Sequence, residues 1–87
     1  MVWTIEIDDG FRRSLRKIGR PDADRITRYL LELETLEDPR QRGKALVGEL
    51  KGLWRYRVGD YRIIARIEAG RMVVLILTLG HRGKVYR

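Results

Sequence analysis

Four arginines crowd one short stretch, Arg55, Arg57, Arg62 and Arg66, interleaved with Tyr56 and Tyr61. After a second apolar run the chain closes on Gly80-His81-Arg82-Gly83-Lys84-Val85-Tyr86-Arg87. Arginine presents a planar fork of donors that matches a phosphate. Histidine changes charge near neutral pH. A tyrosine hydroxyl can take part in proton transfer, and its ring can stack on a base. These are the residue types needed to grip a phosphate backbone and move protons beside it.

Other chemistries are excluded more firmly. Residues 51–87 hold two acids, Asp60 and Glu68, and each falls in an expected turn, so they offer no paired-carboxylate site. No phosphate-binding glycine loop, nucleophile elbow or HExxH-type motif is present. There is no cysteine, hence no disulfide framework and no cysteine metal site, and one histidine rules out a multi-histidine cluster. An enzyme here is expected to work without a cofactor, and without a transition metal unless carboxylates bound one.

The net charge of +7 is unevenly spread. Residues 1–50 carry ten Lys/Arg and ten Asp/Glu, whereas residues 51–87 carry nine Lys/Arg against two acids. The whole excess therefore lies in the arginine-rich stretch and the tail. Such a field attracts polyanions and speeds their association; the plainer alternative is a charge kept for solubility.

The 87 residues make a single domain, 1–87, with a modest core. No signal peptide is visible at the N-terminus, and the longest apolar run, residues 72–77, is too short to span a bilayer. A soluble, cytoplasmic protein is expected by elimination.

The elements that must carry the arginines follow from periodicity. Trp3, Ile5 and Ile7 alternate with polar residues and predict a short strand. Asp8 and Asp9 offer an N-cap to a helix with Phe11, Leu15 and Ile18 inward, ending at Gly19. Pro21 opens a second helix with a stripe of Ile26, Tyr29, Leu30, Leu33 and Leu36, ended by Asp38-Pro39. Residues 40–52 suggest a loop, with Ala45, Leu46, Val47 and Leu50 tucked partly inward. Three strands follow at about 53–58, 61–67 and 72–79, joined at Gly59-Asp60 and at Glu68-Ala69-Gly70. Each helix has one apolar stripe to bury, so the expected fold is α+β: β-α-α-β-β-β, with two N-terminal helices on one face of a small, mostly antiparallel four-stranded sheet.

The other sheet face is then free to carry a site. Alternation puts Trp54, Tyr56 and Val58 on the core face and Arg55 and Arg57 on the open one. A two-residue turn sets Arg57 opposite Arg62, with Ile64 and Arg66 further along the same face. Like charges directly opposite each other are destabilising, so converging arginines make sense if an anion sits between them. The alternatives are a solvated face with arginines splayed into water, a bulge that separates the pair, a His81 that makes only a local contact, and a Tyr86 that merely covers the sheet edge.

With this element order, Leu50-Lys51-Gly52-Leu53-Trp54, Tyr56-Arg57-Val58-Gly59-Asp60-Tyr61-Arg62-Ile63-Ile64, Gly80-His81-Arg82 and Val85-Tyr86 resemble the RelE/ParE toxin superfamily of toxin–antitoxin modules. The resemblance covers nearly the whole chain. For the RelE branch it implies an endoribonuclease that cuts mRNA in the ribosomal A site. There the 2′-hydroxyl attacks the adjacent phosphate, and no metal is needed. For the ParE branch it implies a poison of DNA gyrase without nuclease activity. In both cases it implies a cognate acidic, RelB-like antitoxin as partner.

Carried over by position, Arg55 and Arg57 stand where RelE has lysines that contact RNA and help activate the nucleophile. Arg62 matches the arginine that stabilises the transition-state phosphate, and Arg82 the arginine proposed as general acid. Tyr86 matches the C-terminal tyrosine that stacks on RNA, and His81 falls where some relatives use histidine. Lys51, Arg66 and Lys84 add cations to the expected RNA surface. Both lysine positions being arginine is a departure, because arginine is hardly ever deprotonated. Electrostatic roles suit Arg55 and Arg57, and proton transfer shifts to His81, Arg82 and Tyr86. A non-catalytic RNA-binding domain is a third alternative.

Overall fold

The computed structural model describes residues 2–81. Strand β1, Thr4–Ile7, leads into α1, Asp9–Lys17. Asp8 caps that helix, its carboxylate accepting from the Gly10 amide at 2.8 Å. Phe11 is fully buried, while Arg12, Arg13, Arg16 and Lys17 are exposed. Helix α2, Arg20–Thr35, has Pro21 in its first turn and buries Ile26, Leu30 and Leu33 at helical spacing.

The segment expected to be a loop holds more structure. It contains a 3₁₀ turn Pro39–Arg42, a two-residue strand β2, Lys44–Ala45, and a second 3₁₀ turn Gly48–Leu50. Leu46 and Leu50 are half-buried as expected, but Ala45 and Val47 are exposed. Then come β3, Trp54–Val58, β4, Tyr61–Glu68, and β5, Val73–His81. The sheet therefore has five strands, not four, in the order β1-β5-β4-β3-β2. It is mixed, because β1 runs parallel to β5 while the other pairs are antiparallel.

Both helices lie on one face, as their single apolar stripes require. Phe11, Ile26, Leu30 and Leu33 meet Tyr56, Val58, Ile63, Ala65, Val74 and Ile76 from the sheet, with Trp3 in the same cluster. Two long-range bonds tie the α2–β2 connection to this core: Tyr56 Oη donates to the Pro39 carbonyl at 2.8 Å, and Trp3 Nε1 to the Glu37 carbonyl at 3.1 Å. Burial raises the Tyr56 pKa well above the ordinary tyrosine value, with smaller contributions from Tyr29 and Asp38.

The β3–β4 turn has Gly59 at φ +59° in the first central position, where a glycine is unstrained. Pairing proceeds from Val58↔Tyr61 to Arg57↔Arg62 without a slip. A bulge does occur, but elsewhere. Ile64 pairs with Thr78 and Ala65 with Ile76, which leaves Leu77 as the extra residue on β5.

Candidate nucleic-acid interface

Three strands supply one row of the open face. Arg57 stands opposite Arg62, and Arg62 stands opposite Gly80. The next row contains Arg55, Ile64 and Thr78, with Lys44 of β2 beyond Arg55. Arg66 follows on the same face, paired with Leu75. The predicted arginine face is therefore one continuous patch on the side away from the helices, with Arg57 at its edge also reaching a cleft beside α2. Arg57 and Arg66 are exposed; Arg55 and Arg62 are half-buried around Ile64, which is only 4% exposed. Buried Ile64 gives the guanidinium stems an apolar floor to lie on.

Among the described residues the patch is not neutralised. Arg20, Arg25, Arg40, Arg42 and Arg71 each pair with a carboxylate. Among the described residues, Arg55, Arg57, Arg62, Arg66 and Lys51 make no ion pair. Arg55 Nε is moreover buried with no hydrogen-bond partner among them. A buried donor left without an acceptor costs about 1–3 kcal/mol. An anion bound on this face would supply the missing acceptor.

His81 lies elsewhere than a tail. It is the last residue of β5, two positions beyond the expected strand end, and pairs with Tyr61. Their rings meet edge to face with centroids 5.0 Å apart. Tyr61 points to the helix side, its hydroxyl donating to Asp22 of α2 at 3.2 Å. Desolvation, then the Asp22 charge and hydrogen bond, raise the Tyr61 pKa. Strand alternation thus sets His81 on the opposite side of the sheet from Arg62, although at its rim. Lys51 is exposed in the turn before β3. Arg82, Lys84 and Tyr86 lie outside the described residues. Lys44 escaped the sequence analysis, because a two-residue strand leaves no periodicity to find.

The fold is that of the RelE/ParE toxin superfamily. Residues 5–86 match the family model of the ParE toxin of type II toxin–antitoxin systems, parDE, and the chain belongs to that family. It is 32% identical to toxin RelG of Mycobacterium tuberculosis, over 100% of this chain and 99% of the relative. It is 38% identical to toxin RelE of the same organism over a shorter part, 60% of this chain and 54% of the relative. Among solved structures, the toxin–antitoxin complex RelBE2 of M. tuberculosis aligns at a TM-score of 0.86 with 29% identity, covering 94% of this chain and 100% of that one. The archaeal RelE–RelB complex from Pyrococcus horikoshii aligns at 0.76 with 27% identity, covering 97% and 99%. Among the described residues no helix is long and apolar enough to cross a membrane.

Proposed function

We propose that this toxin is a ribosome-dependent endoribonuclease that cuts mRNA in the A site and so stops translation. The observation that carries this is the Arg57–Arg62 pair, two arginines directly opposite each other on an open sheet with no carboxylate partner among the described residues. A phosphate held between them would receive two forks of donors at the position where negative charge grows. In the reaction the 2′-oxygen attacks the adjacent phosphorus and the P–O5′ bond breaks. The products are a cyclic phosphate and, after protonation, a free 5′-hydroxyl. Arg62 and Arg57 would stabilise the phosphorane charge, and Arg55 would supply a further donor from the next row. Arg66, Lys51 and Lys84 would hold the flanking backbone. Of the three residues expected to transfer protons, Arg82 and Tyr86 keep that role in this reading, whereas His81 stands on the helix side of the sheet, away from a phosphate held by Arg57 and Arg62.

Similarity to RelG and RelE of M. tuberculosis supports the nuclease branch. The ParE family match favours a second function, a gyrase poison without nuclease activity. Primer-extension mapping of mRNA ends after induction separates the two. Cuts within translated codons that vanish in an Arg62→Ala variant are expected. Intact mRNA with stabilised gyrase–DNA breaks would establish the second function instead.

The RelBE2 and P. horikoshii RelE toxins were solved in complexes with antitoxins. These complexes support a RelB-like antitoxin as the partner of this chain, and the unpaired arginines of the open face suit an acidic one bound in part through charge. Calorimetry at increasing salt should show affinity falling, because contacts between exposed charges are screened. Salt-independent affinity would contradict a charge-driven contact.

A further inference from the structure

Arg57 belongs to two surfaces. It stands in the open row opposite Arg62, and it also lines a cleft of about 310 Å³ between α2 and the β3–β4 hairpin. Strand β2 pairs only with Trp54 and Arg55, so β3 is the outer edge of the sheet from Tyr56 onward. Among the described residues no strand separates Arg57 from the helix. Across the cleft stand Arg25 and Arg28 of α2, with Tyr29 and Glu32.

Charge in the cleft is unbalanced in a specific way. Glu32 is held by Arg42 at 2.8 Å, and Arg25 by Asp22 at 3.0 Å. Arg28 and Arg57 are both exposed and, among the described residues, both lack an acidic partner. Arg25 lies against the hairpin turn, so close that a β-carbon at Gly59 would stand 3.0 Å from its Nη1. Two unpaired guanidiniums thus flank a slot whose third arginine is paired with Asp22.

We propose that this cleft is a second phosphate subsite of the same single-stranded RNA. On this assignment the strand passes from Arg62 over Arg57 at the edge of β3 and down to Arg28. The assignment rests on the nuclease function proposed above, and it adds a contact on α2 that the sheet face does not contain. Continuity favours RNA over an acidic protein: Arg57 belongs both to the open row and to the cleft, so one phosphate backbone can run from the first to the second. The helix carries the site because Arg25 and Arg28 follow Ile26 and Leu30 around its wheel. The residues that bury α2 therefore also fix where its cations point.

The test measures binding by fluorescence anisotropy, using 2′-O-methyl RNA. That probe lacks the nucleophile, so binding is read whether or not the protein cleaves. A dinucleotide, which reaches the Arg62 row alone, is compared with a strand long enough to cross into the cleft. Arg28→Ala should weaken the longer strand roughly three- to ten-fold, and its salt slope should become shallower by about 0.7, the value for one lost phosphate contact on a single strand. Dinucleotide binding should stay as in wild type, and Arg28→Lys should restore part of the loss. Unchanged affinity for the longer strand, equal loss on both probes, or no binding of the longer strand by wild type would each overturn the subsite. So would an Arg28→Ala variant that binds RNA normally but loses affinity for a glutamate-rich peptide, since the cleft would then serve an acidic partner. Failure to cleave mRNA with the binding pattern intact would count against the nuclease function and leave the subsite standing.

Discussion

Arg57 and Arg62 face each other directly across the β3–β4 hairpin, and among the described residues no acid stands near enough to pair with either. Like charges in that position cost stability, by a few tenths of a kcal/mol up to about 1 kcal/mol. The fold thus carries an electrostatic cost at the spot that a phosphate would relieve. Arg57→Thr should raise stability by that amount in urea denaturation at low salt, and the gain should shrink as salt is added. RNA affinity should fall in the same variant. A loss of stability would mean that the packing of the Arg57 stem outweighs the repulsion.

Tyr56 is the fully buried centre of the hairpin, and its hydroxyl reaches the Pro39 carbonyl. Tyr56→Phe leaves that carbonyl without its donor and should cost about 1–2 kcal/mol near neutral pH. The pH dependence has a definite sign. Burial holds the folded hydroxyl above the ordinary value of 10.0, so the neutral form is the one the fold favours. Its contribution is fully present below about pH 10 and is lost as pH rises towards the folded value. Wild-type stability should therefore fall more steeply above pH 10 than that of Tyr56→Phe, while Tyr29, raised mainly by burial, leaves a residual slope in both. Parallel curves in alkaline denaturation would contradict this account.

Local signals in the chain accounted for much of this architecture, and non-local ones did not. The stripes of both helices and the Gly59-Asp60 turn are short-range patterns, and they led directly to the Arg57–Arg62 register. The pairing of β1 with β5 joins residues about seventy positions apart, and no local pattern announces it. Strand β2 is two residues long, below any period. The bulge at Leu77 lies within an apolar run that reads the same in either register. Met72 takes φ +54°, a left-handed conformation that a methionine gives no sign of adopting. His81 looked like part of a tail because Gly80 reads as a strand end. Its pairing with Tyr61 moves it to the helix side.

The turn that sets this register should be sensitive at a single atom. Gly59→Ala puts a β-carbon on a residue at φ +59°, which costs about 1–2 kcal/mol. It also brings that carbon to 3.0 Å from an Arg25 nitrogen, but the end of a flexible side chain can move aside. Most of the loss should therefore persist when Arg25→Ala is added, as a double-mutant cycle would read. If the loss disappears in the Arg25→Ala background, the crowding and not the backbone sets the cost.

Asp22 restrains one arginine of the α2 cleft. It pairs with Arg25 at 3.0 Å and accepts the Tyr61 hydroxyl at 3.2 Å. Asp22→Asn keeps an acceptor for Tyr61 but removes the charge that neutralises Arg25. The stability loss should be small, about 1 kcal/mol or less, because the Arg25–Asp22 pair is solvated and the helix-dipole term it also loses is of similar size. RNA affinity should move the other way. With Arg25 released, the cleft gains an effective cation, and a strand that enters it should bind roughly two- to five-fold more tightly with a steeper salt slope. A dinucleotide confined to the Arg62 row should show no change. Tighter binding of both probes alike would mean that Asp22 acts through the general field of the protein and not through Arg25.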